Sequence, residues 1–263
     1  MLIQGKTVWI TGASSGIGEA LAKELAILGA TLILSARSAD KLEQLRSVLP
    51  HPERHRIVPL DLASCDSIRA AVTPVLEQGI SVDILVNNGG ISQRGLARNT
   101  CIEVQREVME VNYFGIICLT QLLLPAIVQN KGMVVTVASV AGKVGGQSMA
   151  GYAASKHAII GYMDCLRAEE SQNGLKVLTI CPGFVQTQIS VNARTDDGQP
   201  YGRMAGSIAG GITAHDCACG ICNAIEKDKR EVVIGKGLSA LAPTIKRIWP
   251  GLLMTIAARK NIR

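Results

Sequence analysis

Thr11-Gly12-Ala13-Ser14-Ser15-Gly16-Ile17-Gly18 decides the fold. The aliphatic run 7–11 leads straight into it. Ile17, Leu21, Leu25 and Leu28 follow at steps of four, four and three, which is one face of a helix. The stretch therefore reads as a tight turn between a buried strand and a helix. Gly12 allows the turn, Gly16 lets the backbone approach a pyrophosphate, and Gly18 lets helix and strand pack closely. A phosphate there meets free N–H groups and the positive end of the helix. Ser14 and Ser15 add hydroxyl donors, and Ile17 opens the helix. An ordinary turn with a serine N-cap is the plain alternative. The place of the turn, after a first strand and before a well-formed helix, favours nucleotide binding.

The same alternation continues outward. Strand candidates are 7–11, 31–35, 56–60, 82–87, 133–139, 176–181 and 231–234, and helical stretches fall at 38–48, 64–78, 100–130, 151–172 and 213–227. Strand, helix, strand at this spacing implies right-handed crossovers and a parallel sheet. The fold class is α/β: a doubly wound, seven-stranded parallel sheet with helices on both faces. No linker or composition break divides the chain, so 1–263 is read as one domain. The polar stretch 186–212 is long for a connection and is assigned a functional role.

Composition narrows the class. Of 263 residues, 48% are apolar and 18% charged, enough to bury a sizeable core and exclude disorder. Aromatics are only 3%, so that core is aliphatic. The eight cysteines are scattered through apolar segments, which fits a reducing compartment and a cytoplasmic protein better than a disulfide framework. The first residues, Met1 to Lys6, lack the shape of a signal peptide, and there is no uninterrupted apolar run of 18 or more. Net charge is +6, but residues 227–263 alone hold nine Lys/Arg against two acids, leaving 1–226 at −1. Nucleic acid is therefore not an expected partner. The basic, apolar extension 238–263 reads as a lid over an apolar substrate mouth, a cover for the domain or a subunit neighbour, or a peripheral membrane contact, and Trp249-Pro250-Gly251 breaks any helix through it. Cys217, Cys219 and Cys222, near His215, lack a second ligand cluster at zinc-site spacing and are expected to be small core residues, so no metal is expected. His51 and His55 show no partner.

Thr11 with the G-x-x-x-G-x-G spacing of Gly12, Gly16 and Gly18 resembles the signature of the short-chain dehydrogenase/reductase family. Further motifs follow in order. Asn87-Asn88-Gly89-Gly90 resembles the family's N-N-A-G, with Gly89 replacing Ala; Asn112, Ser139, Tyr152-Ala-Ala-Ser-Lys156 and Pro182-Gly183 with Thr187 complete the set. Residues 151–204 also resemble the dehydrogenase/reductase member 7 subgroup. The resemblance implies a Rossmann fold, a nicotinamide cofactor and a homodimer or homotetramer built on the long helices.

Cofactor choice turns on the end of the second strand. Ala36 stands where the family's NAD enzymes carry Asp, and Arg37 and Ser38 follow. A guanidinium matches phosphate geometry, so NADP (NADPH) is expected, with NAD less favoured. By resemblance, Asp61 accepts from the adenine amino group, Leu62 lies against its ring, Asn88 meets the adenosine ribose, and Asn87 ties neighbouring strands. Gly89 preserves close backbone approach. Pro182, Gly183, Val185 and Thr187 hold the carboxamide end.

Tyr152 and Lys156 are four apart and share a helix face. A free tyrosine, with a pKa of about 10, is a poor acid–base group near neutrality, and a nearby ammonium favours the phenolate. Lys156 is thus expected to lower the Tyr152 pKa and to bond the nicotinamide ribose. Ser139 is expected to stabilise the substrate oxygen, and Asn112 to hold a water in a proton relay. Tyr162 is assigned to packing or to an interface. These residues predict an oxidoreductase for a small-molecule carbonyl or alcohol, with a lipophilic ketone or aldehyde preferred. The rival readings are a non-catalytic NADP-binding sensor or scaffold, and a membrane-associated interaction protein.

Overall fold

The computed structural model describes residues 1–259; Lys260 and Arg263 of the basic tail lie outside them. Among the described residues there are seven strands: β1 (Thr7–Thr11), β2 (Thr31–Ser35), β3 (Arg56–Ile57), β4 (Ile84–Asn87), β5 (Met133–Val137), β6 (Lys176–Pro182) and β7 (Glu231–Ile234). All pair in parallel in the order β3-β2-β1-β4-β5-β6-β7. The chain therefore moves outward from β1 in one direction, returns, and moves outward in the other. That reversal opens a crevice between β1 and β4 at the C-terminal edge of the sheet.

Side chains of β1 show why both faces are covered. Val8 and Ile10 enter one core with helices α1 (Gly16–Ile27) and α2 (Ala39–Ser47). Trp9 enters the other, with α3 (Cys65–Glu77). The core is aliphatic apart from Trp9, whose indole N–H donates to Ser35 Oγ at 2.9 Å. Ser35 Oγ in turn donates to the Val58 carbonyl at 2.6 Å, which links the first three strands.

Several boundaries differ from the sequence reading. β3 keeps two paired residues because it is the sheet edge and its chain then leaves for α3. The stretch 100–130 is not one regular helix. It comprises α4 (Ile102–Met109), a π-helical turn (Glu110–Phe114) and α5 (Gly115–Gln129). Taken together, Ile102–Gln129 is long and apolar enough to cross a membrane, with a mean hydropathy of 1.8 in its most apolar window, although it holds no uninterrupted apolar run of 18 or more. Ile116, Leu119, Leu123 and Ile127 are fully buried against the second core. Next come α6 (Ala150–Glu169), a short α7 (Gly206–Ala209) inside the 186–212 stretch, and α8 (Ala214–Glu226). The extension forms α9 (Leu238–Ile248) and α10 (Pro250–Arg259), broken at Trp249 as expected.

Three side chains depart from their sequence assignments. Asn87 does not tie two strands; its amide donates to Thr120 Oγ1 on α5 at 2.9 Å. His55 is buried and bridges Leu32 N–H (3.1 Å) and the Pro50 carbonyl (2.9 Å). Cys217 and Cys222 are buried, but Cys219 is exposed, because it falls about 200° round α8 from Cys217. All eight cysteines are free thiols.

Candidate active site

Thr11 organises the crevice. Its hydroxyl accepts from the backbone N–H groups of Asn88 and Gly89, both at 3.0 Å, so the ends of β1 and β4 are locked together. The Asn88 amide donates to the carbonyls of Thr11 (3.0 Å) and Gly12 (3.3 Å). Asn88 thus holds the glycine turn itself, a role the sequence reading did not give it. Gly12 and Gly16 have φ of +64° and +58°, the left-handed region that favours glycine. A Cβ at Gly18 would stand 2.2 Å from the Gly12 carbonyl oxygen, so Gly18 packs the helix on the turn rather than on the strand. Ser15 is the N-cap of α1 but makes no side-chain cap bond. At Gly89, the methyl that an alanine would add falls 2.6 Å from Leu62 Cδ1. Leu62 fills that space, so an alanine at 89 would require the Leu62 side chain to shift.

A cavity of about 840 Å³ runs along this edge of the sheet. One end holds Arg37, Ser38, Asp61 and Leu62. The middle holds Gly12, Ser14, Ser15, Gly16, Ile17, Asn88 and Gly89. The far end holds Ser139, Tyr152, Lys156, Pro182, Gly183, Val185 and Thr187. Gly18 and Asn112 sit behind the wall rather than at it.

Lys156 is buried, and its ammonium donates to the Val137 carbonyl at 3.0 Å. Its nitrogen is 5.9 Å from the centroid of the Tyr152 ring. Burial lowers the Lys156 pKa to about 8, against an upward pull from Cys181. The Tyr152 pKa is raised above its ordinary value by burial, while a hydrogen bond with Ser139 and the charge of Arg94 pull it down. Arg94 is a further cation that favours the phenolate, beside Lys156, whose ammonium is held by the Val137 carbonyl.

Asn112 lies in the π-helical turn and is fully buried. Its Oδ1 accepts from Ile91 N–H at 2.9 Å, and its Nδ2 donates to the Ile91 carbonyl (2.9 Å) and Ser155 Oγ (3.1 Å). A Cβ at Gly90 would lie 2.9 Å from Asn112 Oδ1 and 3.6 Å from Lys156 Nζ, so the Asn112 side chain, the glycine pair and the lysine pack as one unit. The π turn re-aims Asn112 into that packing, a recurrent use of such turns.

Sequence reasoning misses two contributors, Lys41 and Arg94. Lys41 lines the cavity beside Arg37, and Ser38 Oγ accepts from its N–H at 3.4 Å as the α2 N-cap. Its spacing from Arg37 was visible. Arg94 carried no local signal. The tail supplies Leu238, Ala242, Leu253 and Ile256 to the cavity wall, fastened by Lys246 Nζ to the Lys143 carbonyl (2.7 Å) and Gln147 Nε2 to the Ala258 carbonyl (2.9 Å). The 186–212 stretch also reaches the wall, held by Arg194 to Glu107 at 2.7 Å.

A glycine cradle at the switch point of a parallel sheet, continuous with a Ser-Tyr-Lys cluster, defines a class. The model of the short chain dehydrogenase family matches residues 6–198, and the chain belongs to that oxidoreductase family. It is 40% identical over 267 residues to the dehydrogenase/reductase SDR family protein 7-like of Anopheles gambiae, covering 98% of this chain and 84% of that one. It is 38% identical over 264 residues to dehydrogenase/reductase SDR family member 7B of Mus musculus, covering 98% and 82%. Among solved structures, a short chain dehydrogenase from Burkholderia cenocepacia in complex with NADP superimposes with a TM-score of 0.81 at 24% identity, covering 98% of this chain and 99% of that one. A second, from Burkholderia phymatum in complex with NAD, gives 0.79 at 24% identity, covering 100% and 98%. These two likenesses establish the Rossmann fold.

Proposed function

We propose that the protein is an NADP-dependent oxidoreductase that interconverts a carbonyl and an alcohol, acting on a lipophilic ketone or aldehyde. One observation carries this reading: a single cavity joins the Arg37 end, the glycine cradle and the Ser139–Tyr152–Lys156 end. The cradle suits a dinucleotide. Gly12 and Gly16 take a backbone shape that other residues rarely adopt, and a Cβ at Gly16 would crowd Thr187 Cγ2 at 3.1 Å. Ala36 leaves no carboxylate to repel a 2′-phosphate, and Arg37 and Lys41 offer it two cations.

A bound reduced nicotinamide supplies the hydride. The protein's residues orient and hold protons. Tyr152 gives its proton to the carbonyl oxygen in reduction and takes it back in oxidation. Ser139, bonded to Tyr152, shares the developing charge. Lys156 binds the cofactor ribose and returns a proton to Tyr152. Asn112 positions the Ile91 backbone and α6, and its backbone carbonyl holds the relay water. The apolar tail residues Leu238, Ala242, Leu253 and Ile256 favour a lipophilic substrate.

The whole chain acts as one nucleotide-binding domain with a substrate loop at 186–212. Phe114 is 46% exposed on the helix that carries Asn112, which supports a homodimer or homotetramer through that helix. Leu241, Ile248, Trp249, Leu252 and Met254 are exposed on the tail beside Lys246 and Arg247, which supports a peripheral membrane contact by a cytoplasmic protein. Vesicle flotation of the full chain against W249D/L252D tests the latter, and equal flotation removes it.

The reaction is tested by following reduced nicotinamide absorbance with ketones and aldehydes of graded apolar length. The expected result is NADPH consumption that rises with apolar length and exceeds NADH consumption. No consumption with any member overturns the enzyme reading in favour of a non-catalytic nucleotide-binding protein.

A further inference from the structure

Outside the cleft, among the described residues, one cluster of side chains has the donors and spacing of a metal site. His215 and Cys219 are four apart on α8, so they share a face, and that face meets α1 at Glu24. One ligand atom from each of the three lies within 4.8 Å of the others. His215 Nδ1 is 3.2 Å from Glu24 Oε1, Cys219 Sγ is 3.8 Å from Glu24 Oε2, and Cys219 Sγ is 3.9 Å from His215 Nδ1.

We propose that Glu24, His215 and Cys219 bind a zinc ion that clamps α1 to α8, with water as the fourth ligand. Tetrahedral zinc with Zn–N and Zn–O near 2.1 Å and Zn–S near 2.3 Å sets ligand–ligand edges of about 3.3–3.6 Å. The three observed edges straddle that range, so small side-chain movements complete the set. The donor chemistry selects the ion. A thiolate with an imidazole suits zinc, whereas magnesium and calcium take oxygen donors. The setting is already rigid: Leu21, Ala22 and Leu25 of α1 share a core with Cys217, Ala218 and Ile221 of α8. Local spacing argued against a metal because the third ligand comes from a residue nearly two hundred positions away, which only the packing of α1 on α8 brings in. Since α1 opens on the glycine turn, the clamp braces the helix that would carry the phosphates.

The test uses the full chain, freed of metal by a chelator and titrated calorimetrically with zinc chloride. One zinc per chain is expected, weakened at least about tenfold in each of C219S, H215A and E24Q. Cobalt chloride, the visible probe, should give a thiolate charge-transfer band that C219S lacks. On the unaltered chain, zinc should protect Cys219 from alkylation, read peptide by peptide, while the exposed Cys65 and Cys165 stay reactive. Zinc binding equal in the unaltered chain and C219S, or alkylation of Cys219 unchanged by zinc, overturns the site and leaves an ordinary Glu24–His215 ion pair.

Discussion

Lys156 Nζ donates to the Val137 carbonyl at 3.0 Å and stands 5.9 Å from the centre of the Tyr152 ring. The ammonium is thus anchored to the end of β5, not to the phenol it accompanies along α6. A hydrogen bond with Ser139 and the charge of Arg94 both pull the Tyr152 pKa down, against the upward effect of burial.

The proposed alcohol oxidation needs the Tyr152 phenolate, so its rate depends on the Tyr152 pKa. Arg94 and Ser139 both pull the Tyr152 pKa down. Arg94→Met and Ser139→Ala should each move the alkaline inflection of kcat/KM upward, by about half a unit to one unit for the charge. A pH–rate profile of each variant checks this, and an unmoved inflection in R94M removes Arg94 from the account.

Burial of Lys156 costs stability while the group is charged. Its folded pKa of about 8 lies below the ordinary 10.5, so between these values the unfolded chain binds more protons and stability rises with pH. The penalty is fully present below pH 8. Lys156→Met removes it along with one hydrogen bond, a net gain of about 2 kcal/mol, or roughly 4–8 °C in Tm. Thermal unfolding at pH 7 should show K156M more stable and inactive. A lower Tm contradicts the burial argument.

His55 accepts the Leu32 N–H at Nδ1, a bond that protonation destroys. Burial lowers its pKa below 6.5, against upward pulls from the Pro50 bond and Glu53. The stability it gives is present above pH 6.5 and lost as pH falls below it. His55→Asn should cost about 1–2 kcal/mol at pH 7 and flatten the decline toward pH 5, as read by denaturant titration.

Arg37 and Lys41 flank one end of the cavity. The double variant R37A/K41A should raise the KM for NADPH by about ten- to hundredfold and that for NADH by less than about threefold. Equal effects on both cofactors contradict a 2′-phosphate site there.

Legibility in the sequence followed the range of the interactions. The glycine turn, the strand cores and the Tyr152–Lys156 pairing are set by neighbours in the chain, and they stand where their spacing put them. The π turn around Asn112 was hidden because apolar periodicity runs through it without a break. The roles of Asn87, Asn88 and His55 depend on partners in other elements, Thr120 on α5, the end of β1 and Leu32 on β2. Arg94 and Glu24 act on residues that only tertiary packing brings near, so no local pattern marks them. The tail's part in the cavity wall was half legible: its apolar content was plain, its docking on Lys143 and Gln147 was not.

The proposed activity rests on proton transfer by Tyr152 beside a bound nicotinamide cofactor. Turnover and NADPH affinity of Tyr152→Phe, measured together against the unaltered chain, test it most directly. The expected result is a fall in kcat/KM of about 10²–10⁴ with the NADPH Kd changed less than about threefold. Turnover preserved to within about a factor of ten in a variant that still binds NADPH would contradict it.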